Sequence, residues 1–308
     1  IKSQNRIKVL SNQLKTTQDH RMEMMPCSEQ MKGANFPMSA EGRTYHLETK
    51  EGDVAPRVLT VGDPARAEKY SKMLDSVEFK RMSHRGFLTI TGKYKGTRVS
   101  IVATGMGIAM IDFMIRENRA VTDEKDIVII RVGTCGLLDR HLKVGTVVVA
   151  NEAVMVQRNP DAFRKTSTPN QVPYRLSQPV KADSKVTRLL HQHVSKLMGD
   201  ESGSIAKGMN ATACSFYSSQ GRIADHFEDK NEDLIDDALI DKYPEVKSLE
   251  METFHLFDLA DTSKGVIRAS AAAIGLAQRH SGEFLSNEVK AKREMVVGRA
   301  ALETLIQA

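Results

Sequence analysis

The sequence has few cysteines and no long apolar run, and these absences exclude several protein classes. Its 308 residues include three cysteines, Cys27, Cys135 and Cys214. The odd number and the lack of a Cys-x-x-Cys pair exclude a disulfide framework and a cysteine-ligated zinc site. We therefore expect a reducing compartment, the cytoplasm. No apolar stretch approaches the roughly 20 residues that cross a bilayer, and none near the start is typical of a signal peptide, so we expect no membrane partner.

A strong excess of one charge is also lacking, since 44 basic residues stand against 39 acidic ones, a net charge of +5. Nucleic-acid-binding proteins usually concentrate Lys and Arg along one stretch or face. Here the basic residues are scattered, and acidic runs such as 228–233 interrupt them. We therefore expect no nucleic-acid partner. The small basic excess suits a small anionic substrate better.

The chain divides into a polar N-terminal part and a longer body. Residues 1–42 are rich in Gln, Lys and Met, and the spacing of Ile7, Leu10 and Leu14 favours no more than one weak amphipathic helix. We interpret 1–42 as a weakly structured extension and 43–308 as a single domain. The hydrophobic content of 41% is enough for a sizeable core at this length.

Strand and helix patterns alternate through the body. Apolar and β-rich runs predict strands at 57–62, 87–94, 97–104, 126–132, 146–156, 248–252 and 266–275. Capping signals and helical spacing predict helices after Asp63, at 108–115, 186–197, 253–263 and 287–308. The alternation predicts an α/β fold, a three-layer α/β sandwich around a mixed, partly barrel-like central sheet. The stretches 158–173 and 225–245 are expected to be long loops or a lid.

Three of the predicted strands end at glycine with polar residues beside it, in the segments 62–66, 104–107 and 131–134. In α/β folds ligands gather where strand ends meet helix N-termini, and glycine lets backbone N–H groups approach an anion. Taken alone, each segment is more typical of an ordinary turn, because glycine is common in turns. Arg131 is more informative, because a charge inside an apolar strand must either pair with a carboxylate or face a ligand.

Two later segments carry groups suited to a sugar and a heterocycle. Glu250 and Glu252 are two residues apart, so on a strand both would lie on one face, where a carboxylate suits vicinal ribose hydroxyls. The alternative is a solvated edge strand. Gln220 and Arg222 can hydrogen-bond to the edge and carbonyl oxygens of a heterocycle, with Phe216 nearby. The alternative there is a turn that leads into a helix.

In this order, the segments resemble the nucleoside phosphorylase family, which includes uridine phosphorylases and the hexameric purine enzymes. The similarity runs from about Thr44 to the C-terminus, and its signature is Arg131 followed by Gly133-Thr134-Cys135-Gly136. The matching segments are 45–47, 62–66, 83–85, 104–107, 131–136, 216–222 and 250–252. Each segment is weak by itself, and the ordered set of seven carries the resemblance.

The resemblance implies a role for each matched residue. The phosphate ligands would be Gly62, Arg66, Arg131, Thr134 and, from a neighbouring subunit, Arg85. The ribose ligands would be Met251, Glu252 and, again across the subunit interface, His46 at the 5′-hydroxyl. The base would contact Phe216, Gln220 and Arg222. Catalysis would rest on Arg131, Arg222 and Glu252, without a covalent nucleophile.

Two features favour a pyrimidine base. Purine members carry an Asp in a Ser-Asp pair after the late strand, whereas 271–279 contains no acid. Uridine phosphorylases carry a Gln-x-Arg pair, present here as Gln220 and Arg222. The implied reaction is reversible phosphorolysis of uridine to uracil and ribose 1-phosphate, a step of pyrimidine salvage, with deoxyuridine left open as a substrate. A purine phosphorylase, a nucleosidase of the same fold and a non-catalytic nucleoside-binding subunit are the alternatives.

The resemblance also implies partners and cofactors. The substrates are uridine and inorganic phosphate, and no cofactor is required. Sharing of the site between subunits implies a homo-oligomer, minimally a dimer, with a hexamer left open. The family's interfacial monovalent cation is not expected in its usual form, because Gly86 stands where related enzymes have Glu and Met110 replaces a small hydroxyl residue. A different cation, held by other carboxylates, stays open.

Overall fold

A computed structural model describes residues 30–166 and 170–308. Its strands are β1 (Arg57–Val61), β2 (Ser76–Met82), β3 (Leu88–Tyr94), β4 (Thr97–Ala103), β5 (Ile127–Leu137), β6 (Val147–Arg158), β7 (Tyr174–Leu176), β8 (Val180–Lys181), β9 (Ile205–Ala213), β10 (Val246–Glu250) and β11 (Ile267–Gln278). Its helices are α1 (Pro64–Ser71), α2 (Ile108–Ala120), α3 (Ser184–Met198), α4 (Thr253–Asp261) and α5 (Asn287–Leu305). None of the helices in these two ranges has the length and apolar character to cross a membrane.

The strands form one mixed sheet that closes on itself over part of its width. The order is β10-β9-β6-β11-β5-β1-β4-β3-β2, with β7 and β8 on the side of β6. Because β10 also pairs antiparallel with β5, the five strands β5, β11, β6, β9 and β10 form a ring. The remaining strands extend from β5 as an open sheet. The predicted mixed, partly barrel-like sheet is therefore confirmed.

Helices cover both faces of this sheet and complete three layers. Alternate residues of β5 point to opposite faces, so Val128, Ile130 and Val132 pack with α1, α3 and α5, while Ile127 and Ile129 pack with α2 and α4. Each face therefore carries its own apolar core. This arrangement confirms the predicted three-layer sandwich. Arg131 points to the same face of β5 as Ile127 and Ile129, at a position where an apolar side chain would be expected.

Local sequence signals set the limits of several elements. The Asp63 carboxylate accepts a hydrogen bond from the Ala65 N–H at 2.8 Å and caps α1, whose first residue is Pro64. Lys95 and Gly96 both have positive φ, 49° and 80°, and join β3 to β4 in the predicted hairpin. The helix start and the hairpin are thus confirmed.

Two predicted strand limits were wrong. The strand at 126–132 was expected to stop before Gly133, but β5 continues to Leu137 because its last residues stay in register with β11. The strand at 248–252 ends at Glu250, and Glu252 stands at the N-terminal cap position of α4. In addition, β2 and β9 were not predicted. The strand β9 has few residues with high β propensity, and it forms because β6 and β10 pair with it on either side.

The segments without predicted regular structure contain short elements. Within residues 30–42 of the predicted extension, Met38 forms a backbone bridge to Lys32. A second bridge, from Met38 to Thr44, joins this part of the extension to the body. The weak helix predicted around Leu10 and the thiol of Cys27 lie outside the described residues. A 3₁₀ turn, Pro160–Phe163, lies in the first predicted loop, and a π-helical segment, Leu234–Ile240, lies in the second.

Candidate active site

A cleft of about 370 Å³ opens where β1, β4 and β5 lie side by side. The parallel strands β1 and β4 end together, and the Gly105 N–H donates to the Gly62 carbonyl at 2.8 Å. On the other side of β1, Thr60 is in register with Arg131 of β5. All of the predicted site residues except His46 and Arg85 line this cleft. They are Gly62, Arg66, Arg131, Thr134, Phe216, Gln220, Arg222, Met251 and Glu252.

Arg131 lies at the centre of the cleft's charged groups. Its side chain is only 5% exposed, and its Nη2 lies 2.6 Å from Glu252 Oε2. Among the described residues, its Nε and Nη1 have no hydrogen-bond partner. The sequence left open whether this arginine pairs with a carboxylate or faces a ligand, and the geometry supports both. The ion pair fixes the guanidinium, and the donors on Nε, which lies 3.7 Å from Glu250 Oε2, and on Nη1 make no hydrogen bond within the described residues.

Glu250 and Glu252 both turn toward Arg131, which excludes the alternative of a solvated edge strand. Glu252 Oε1 accepts from the Gly107 N–H at 2.6 Å. Glu250 accepts from Thr212 Oγ1 at 2.8 Å and from the backbone N–H groups of Glu252 and Thr253. The predicted reason for their convergence, strand alternation, was wrong, because the chain has already left β10 at Glu252. Instead, the Glu252 carboxylate reaches Arg131 from the N-terminal cap position of α4.

The ionisation of Glu250 is unusual because the carboxylate is buried. Burial raises the pKa of Glu250, the neighbouring Glu252 carboxylate raises it further, and the positive charge of Arg131 opposes both effects. The net direction is upward. Glu250 is therefore protonated in the folded protein at pH values where an exposed glutamate is already ionised.

The free energy of unfolding is expected to fall as the pH rises above the ordinary carboxyl range. Because the folded-state pKa of Glu250 lies above its ordinary value of 4.5, the folded protein retains a proton that the unfolded chain has released. This stabilisation is complete below the ordinary pKa and is lost as the pH rises through the folded-state pKa. Glu250→Gln, which imitates the protonated carboxyl, should show a flatter profile. Urea unfolding of both proteins across this pH range tests the difference, and identical slopes would contradict it.

Residues on the phosphate side of the predicted site come from the end of β1, from α1 and from β5. Gly62 permits a close approach of the chain there, because a Cβ on it would lie 3.2 Å from the Gly105 carbonyl oxygen, tighter than most such contacts. Arg66 is buried and donates through Nε to Glu294 Oε1 at 3.1 Å. The expected strand-end glycine loop at 133–134 was wrong, since both residues lie within β5 in register with β11. Thr134 nevertheless lines the cleft.

A second pair of cations lies beside the predicted base-binding residues. The Arg222 guanidinium stacks on the Phe216 ring, 4.1 Å from its centroid, and its buried Nε has no hydrogen-bond partner among the described residues. Arg279 donates to the Gly221 carbonyl at 3.2 Å, and its buried Nη1 also lacks a partner in the described ranges. Burial, and then the nearby charge of Arg222, lower the pKa of Arg279 to about 10. Two arginines without a carboxylate partner in the described ranges suit an anionic or carbonyl-rich ligand.

Arg279, which lies beside Arg222 but does not itself line the cleft, was not predicted from the sequence, although a signal was present. The residue follows the apolar strand β11 directly, and the segment was read only for the acid that it lacks. Gly136 makes room for this side chain, because a Cβ there would lie 3.0 Å from Arg279 Cδ. The turn predicted at 216–222 is real, with a short 3₁₀ turn at Ser218–Gln220, and it faces the cleft.

His46 and Arg85 lie together outside this cleft, on either side of Tyr45. The His46 ring stacks on Phe113 at 3.7 Å between centroids, and its Nδ1 donates to the buried Glu117 carboxylate at 2.6 Å. The Arg85 guanidinium lies 4.5 Å from the Tyr45 ring centroid. Their use in a neighbouring subunit's cleft remains a prediction.

Ion pairs lie in the region where the family's interfacial cation would bind. Glu48 accepts from Arg81 Nε at 2.9 Å and from the His84 ring. Within residues 30–166 and 170–308, no group of three or more His, Cys, Asp or Glu side chains is arranged to hold a metal ion. The binding of a cation therefore remains an untested expectation.

One known protein in this comparison resembles the chain over most of its length, and another over about a third of it. The chain is 31% identical over 258 residues to a uridine phosphorylase from Thermococcus kodakarensis, a match that covers 83% of this chain and 85% of the relative. A shorter match, 41% identity over 112 residues, links it to a DeoD-type purine nucleoside phosphorylase from Listeria welshimeri and covers 36% of this chain and 46% of the relative.

Solved structures share the fold. A structure from a study of two uridine phosphorylases of the oomycete Phytophthora capsici has a TM-score of 0.86 at 38% identity, covering 91% of this chain and 99% of that one. A Trypanosoma brucei nucleoside phosphorylase shares the fold with a TM-score of 0.72 at 24% identity, covering 89% of this chain and 100% of that one. Residues 56–305, which carry every cleft residue named above, match the phosphorylase superfamily as a whole, and the chain belongs to that superfamily.

Proposed function

We propose that the protein catalyses the reversible phosphorolysis of uridine to uracil and ribose 1-phosphate. The observation that carries this proposal is the buried pair of Arg131 and Glu252, with two N–H groups of the arginine left over. An anion on Arg131 and a diol on Glu252 would lie side by side. Phosphate needs this proximity to attack the anomeric carbon of a nucleoside. Uridine phosphorylases at 31% and 38% identity support the choice of reaction.

The phosphate would act as nucleophile and as counter-charge. Cleavage of an N-glycosidic bond builds positive charge on the sugar. A phosphate oxygen forms the bond to C1′ while the C1′–N1 bond breaks, and the bonding electrons leave with the base. Arg66 and Arg131 line the cleft and supply positive charge to the nucleophile. Glu252 would accept hydrogen bonds from the 2′- and 3′-hydroxyls, and Met251 would pack against the ribose.

The base would leave as an anion that takes up a proton afterwards. Arg222 and Gln220 would donate hydrogen bonds to its carbonyl oxygens, and Phe216 would pack near the ring. The charge of Arg279 lies close to Arg222 and adds to the positive potential where negative charge develops. This is electrostatic stabilisation by fixed donors, and no covalent intermediate is required.

A purine base is the main alternative, since a purine nucleoside phosphorylase is among the relatives. The acids that line the cleft are Asp63, Glu250 and Glu252. Asp63 caps α1 and the other two contact Arg131, and among the described residues neither Arg222 nor Arg279 has a carboxylate partner that could protonate a purine ring nitrogen. Donors to carbonyl oxygens dominate there, which supports the pyrimidine. A nucleosidase would have no use for the unpartnered donors of Arg131.

The predicted assembly and location belong to the same proposal. His46 and Arg85 lie outside the chain's own cleft, which supports a homo-oligomer, minimally a dimer, in which they serve a neighbour's site. Cys135 and Cys214 are free thiols, and burial raises the pKa of Cys135 above its ordinary range. The two free thiols among the described residues support the expected reducing compartment, the cytoplasm, whereas the raised pKa only makes Cys135 unreactive.

The test is an ultraviolet absorbance assay with uridine, run with and without phosphate, beside a parallel assay with inosine. We expect release of uracil that depends on phosphate. Release of uracil without phosphate would favour the nucleosidase, and phosphate-dependent loss of inosine alone would favour the purine enzyme. Binding of uridine by calorimetry without turnover would point to the non-catalytic subunit. Each of these three outcomes would overturn the proposal.

A further inference from the structure

A carboxylate on the C-terminal helix, α5, contacts Arg66, one of the residues predicted to bind phosphate. Glu294 lies on α5 and is only 5% exposed. Its Oε1 accepts from Arg66 Nε at 3.1 Å, and its Oε2 accepts from Lys69 Nζ at 2.7 Å. Both of its oxygens are therefore committed to the first helix, 225 or more positions away in the sequence.

The backbone around Glu294 is held firmly against α1. The Tyr70 hydroxyl donates to the Glu294 carbonyl oxygen at 2.9 Å. One turn further along α5, Gly298 contacts the Tyr70 ring so closely that a Cβ there would overlap it. This packing fixes where α5 lies on α1, so the carboxylate approaches Arg66 from a set direction.

The contact determines which part of Arg66 is left for a ligand. A guanidinium donates in its own plane through Nε and both Nη atoms. Among the described residues, only Nε of Arg66 has a hydrogen-bond partner, and that partner is Glu294. Engaging Nε fixes the rotation of the guanidinium plane. The two Nη groups then remain for the cleft that Arg66 lines.

From this geometry we infer that Glu294 is a positioning residue for phosphate, which acts by orienting the guanidinium of Arg66 toward the cleft. The inference rests on the proposed function. It goes beyond the predicted site, which contains no residue of α5. Glu294 itself does not line the cleft, so it acts through Arg66 and not by contact with the substrate.

Charge and position predict opposite effects for the same substitution. Glu294 places a negative charge next to the cations Arg66 and Lys69. Neutralising Glu294 would therefore raise the positive potential that attracts phosphate. If charge alone mattered, Glu294→Gln would bind phosphate more tightly. If orientation matters, the neutral amide holds Arg66 less firmly and cannot accept from both cations, so phosphate binds more weakly. The direction of the change in affinity therefore separates the two effects.

The experiment measures inorganic phosphate binding by calorimetry and, separately, the KM values for phosphate and uridine. We expect Glu294→Gln to raise the Kd and KM for phosphate about tenfold, the scale of one weakened hydrogen bond to a charged group. The KM for uridine should stay nearly unchanged. A purely structural role would change both KM values or neither.

The matched control lies on the same helix. Glu303 is also buried, at 8% exposure, and accepts from the Tyr94 hydroxyl at 2.8 Å and from Lys95 Nζ at 2.7 Å, but it does not line the cleft. Glu303→Gln removes a comparable buried carboxylate and should leave phosphate binding unchanged. Equal losses of phosphate affinity in the two variants would overturn the inference.

An Arg66→Ala background tests whether the effect passes through the arginine. There, Glu294→Gln should cause no further loss of phosphate affinity, and a further tenfold loss would overturn the inference. Tighter or unchanged phosphate binding by Glu294→Gln in the otherwise wild-type chain would overturn it as well. Calorimetry needs no turnover, so a chain that binds phosphate but does not cleave uridine would refute the proposed function and leave this test intact.

Discussion

Arg131→Ala is expected to remove nearly all phosphorolysis and to destabilise the fold at the same time. The substitution deletes the two unpartnered N–H groups that would bind phosphate and leaves the buried Glu252 carboxylate without its cation. Loss of one well-placed donor costs about a hundred- to a thousandfold in rate, so we expect a fall in kcat/KM of about a thousandfold. Stranding a buried charge costs about 3–5 kcal/mol of folding free energy. Steady-state kinetics and urea unfolding measure the two effects.

A double variant separates these effects of Arg131. In Arg131→Ala with Glu252→Gln, the stranded charge is neutralised, so part of the lost stability should return. Activity should not return, because neither the phosphate donors nor the ribose carboxylate are restored. Recovery of activity together with stability would contradict the proposed role, since it would mean that Arg131 acts only by keeping the protein folded. Arg131→Lys, which keeps the charge but loses the planar fork, should be intermediate in stability and low in activity.

The residues around Arg131 illustrate what the sequence could predict about the site. Charged and glycine residues at strand ends carry chemical information locally, so Gly62, Arg66 and Glu252 could be selected without knowledge of their contacts. Their arrangement could not be predicted in the same way. Glu252 was expected to reach the site by strand alternation, and it does so from the start of α4. Glu252 lines the cleft, but the predicted route to it was wrong, because the strand limit depends on pairing with distant residues.

The missed residues have a common physical cause. Arg279 and Glu294 acquire their meaning only from partners far away in the sequence, Gly136 and Gly221 for the first and Arg66 for the second. On α5 a glutamate looks like one of many solvated charges, and only the packing of α5 on α1 buries it. A single sequence contains no direct signal for that packing.

The features of the fold also differ in whether local residues or distant partners determine them. The hairpin at Lys95-Gly96 and the capped start of α1 follow from local turn and capping chemistry, and both were predicted correctly. Closure of the five-strand ring depends on the pairing of Leu249 in β10 with Gly136 in β5, which are remote in the sequence. The long strands and the hairpin in the sequence could therefore indicate a part-closed mixed sheet, but they could not indicate which strands meet.

Arg222→Ala is expected to lower kcat for uridine by about a hundredfold or more, with a smaller effect on the KM for phosphate. The Arg222 guanidinium lies against Phe216 with a buried Nε that no described residue engages, beside the second cation, Arg279. This placement suits stabilisation of negative charge that develops on the departing base. Because the substitution removes one of two neighbouring like charges, it should not destabilise the fold strongly. Thermal unfolding beside the kinetics checks that point.

The nature of the leaving group gives a sharper test of Arg222. In 5-fluorouridine the fluorine stabilises the departing uracil anion, so this substrate depends less on help from the protein. If Arg222 stabilises developing charge, the ratio of wild-type to Arg222→Ala rates should be clearly smaller for 5-fluorouridine than for uridine. If Arg222 only orients the bound base, both substrates should lose about the same factor, because the fluorine leaves the carbonyl oxygens that the arginine would hold in the same positions. An equal loss for both substrates would assign Arg222 to binding of the base. Arg279 would then be the residue that stabilises the negative charge on the departing base.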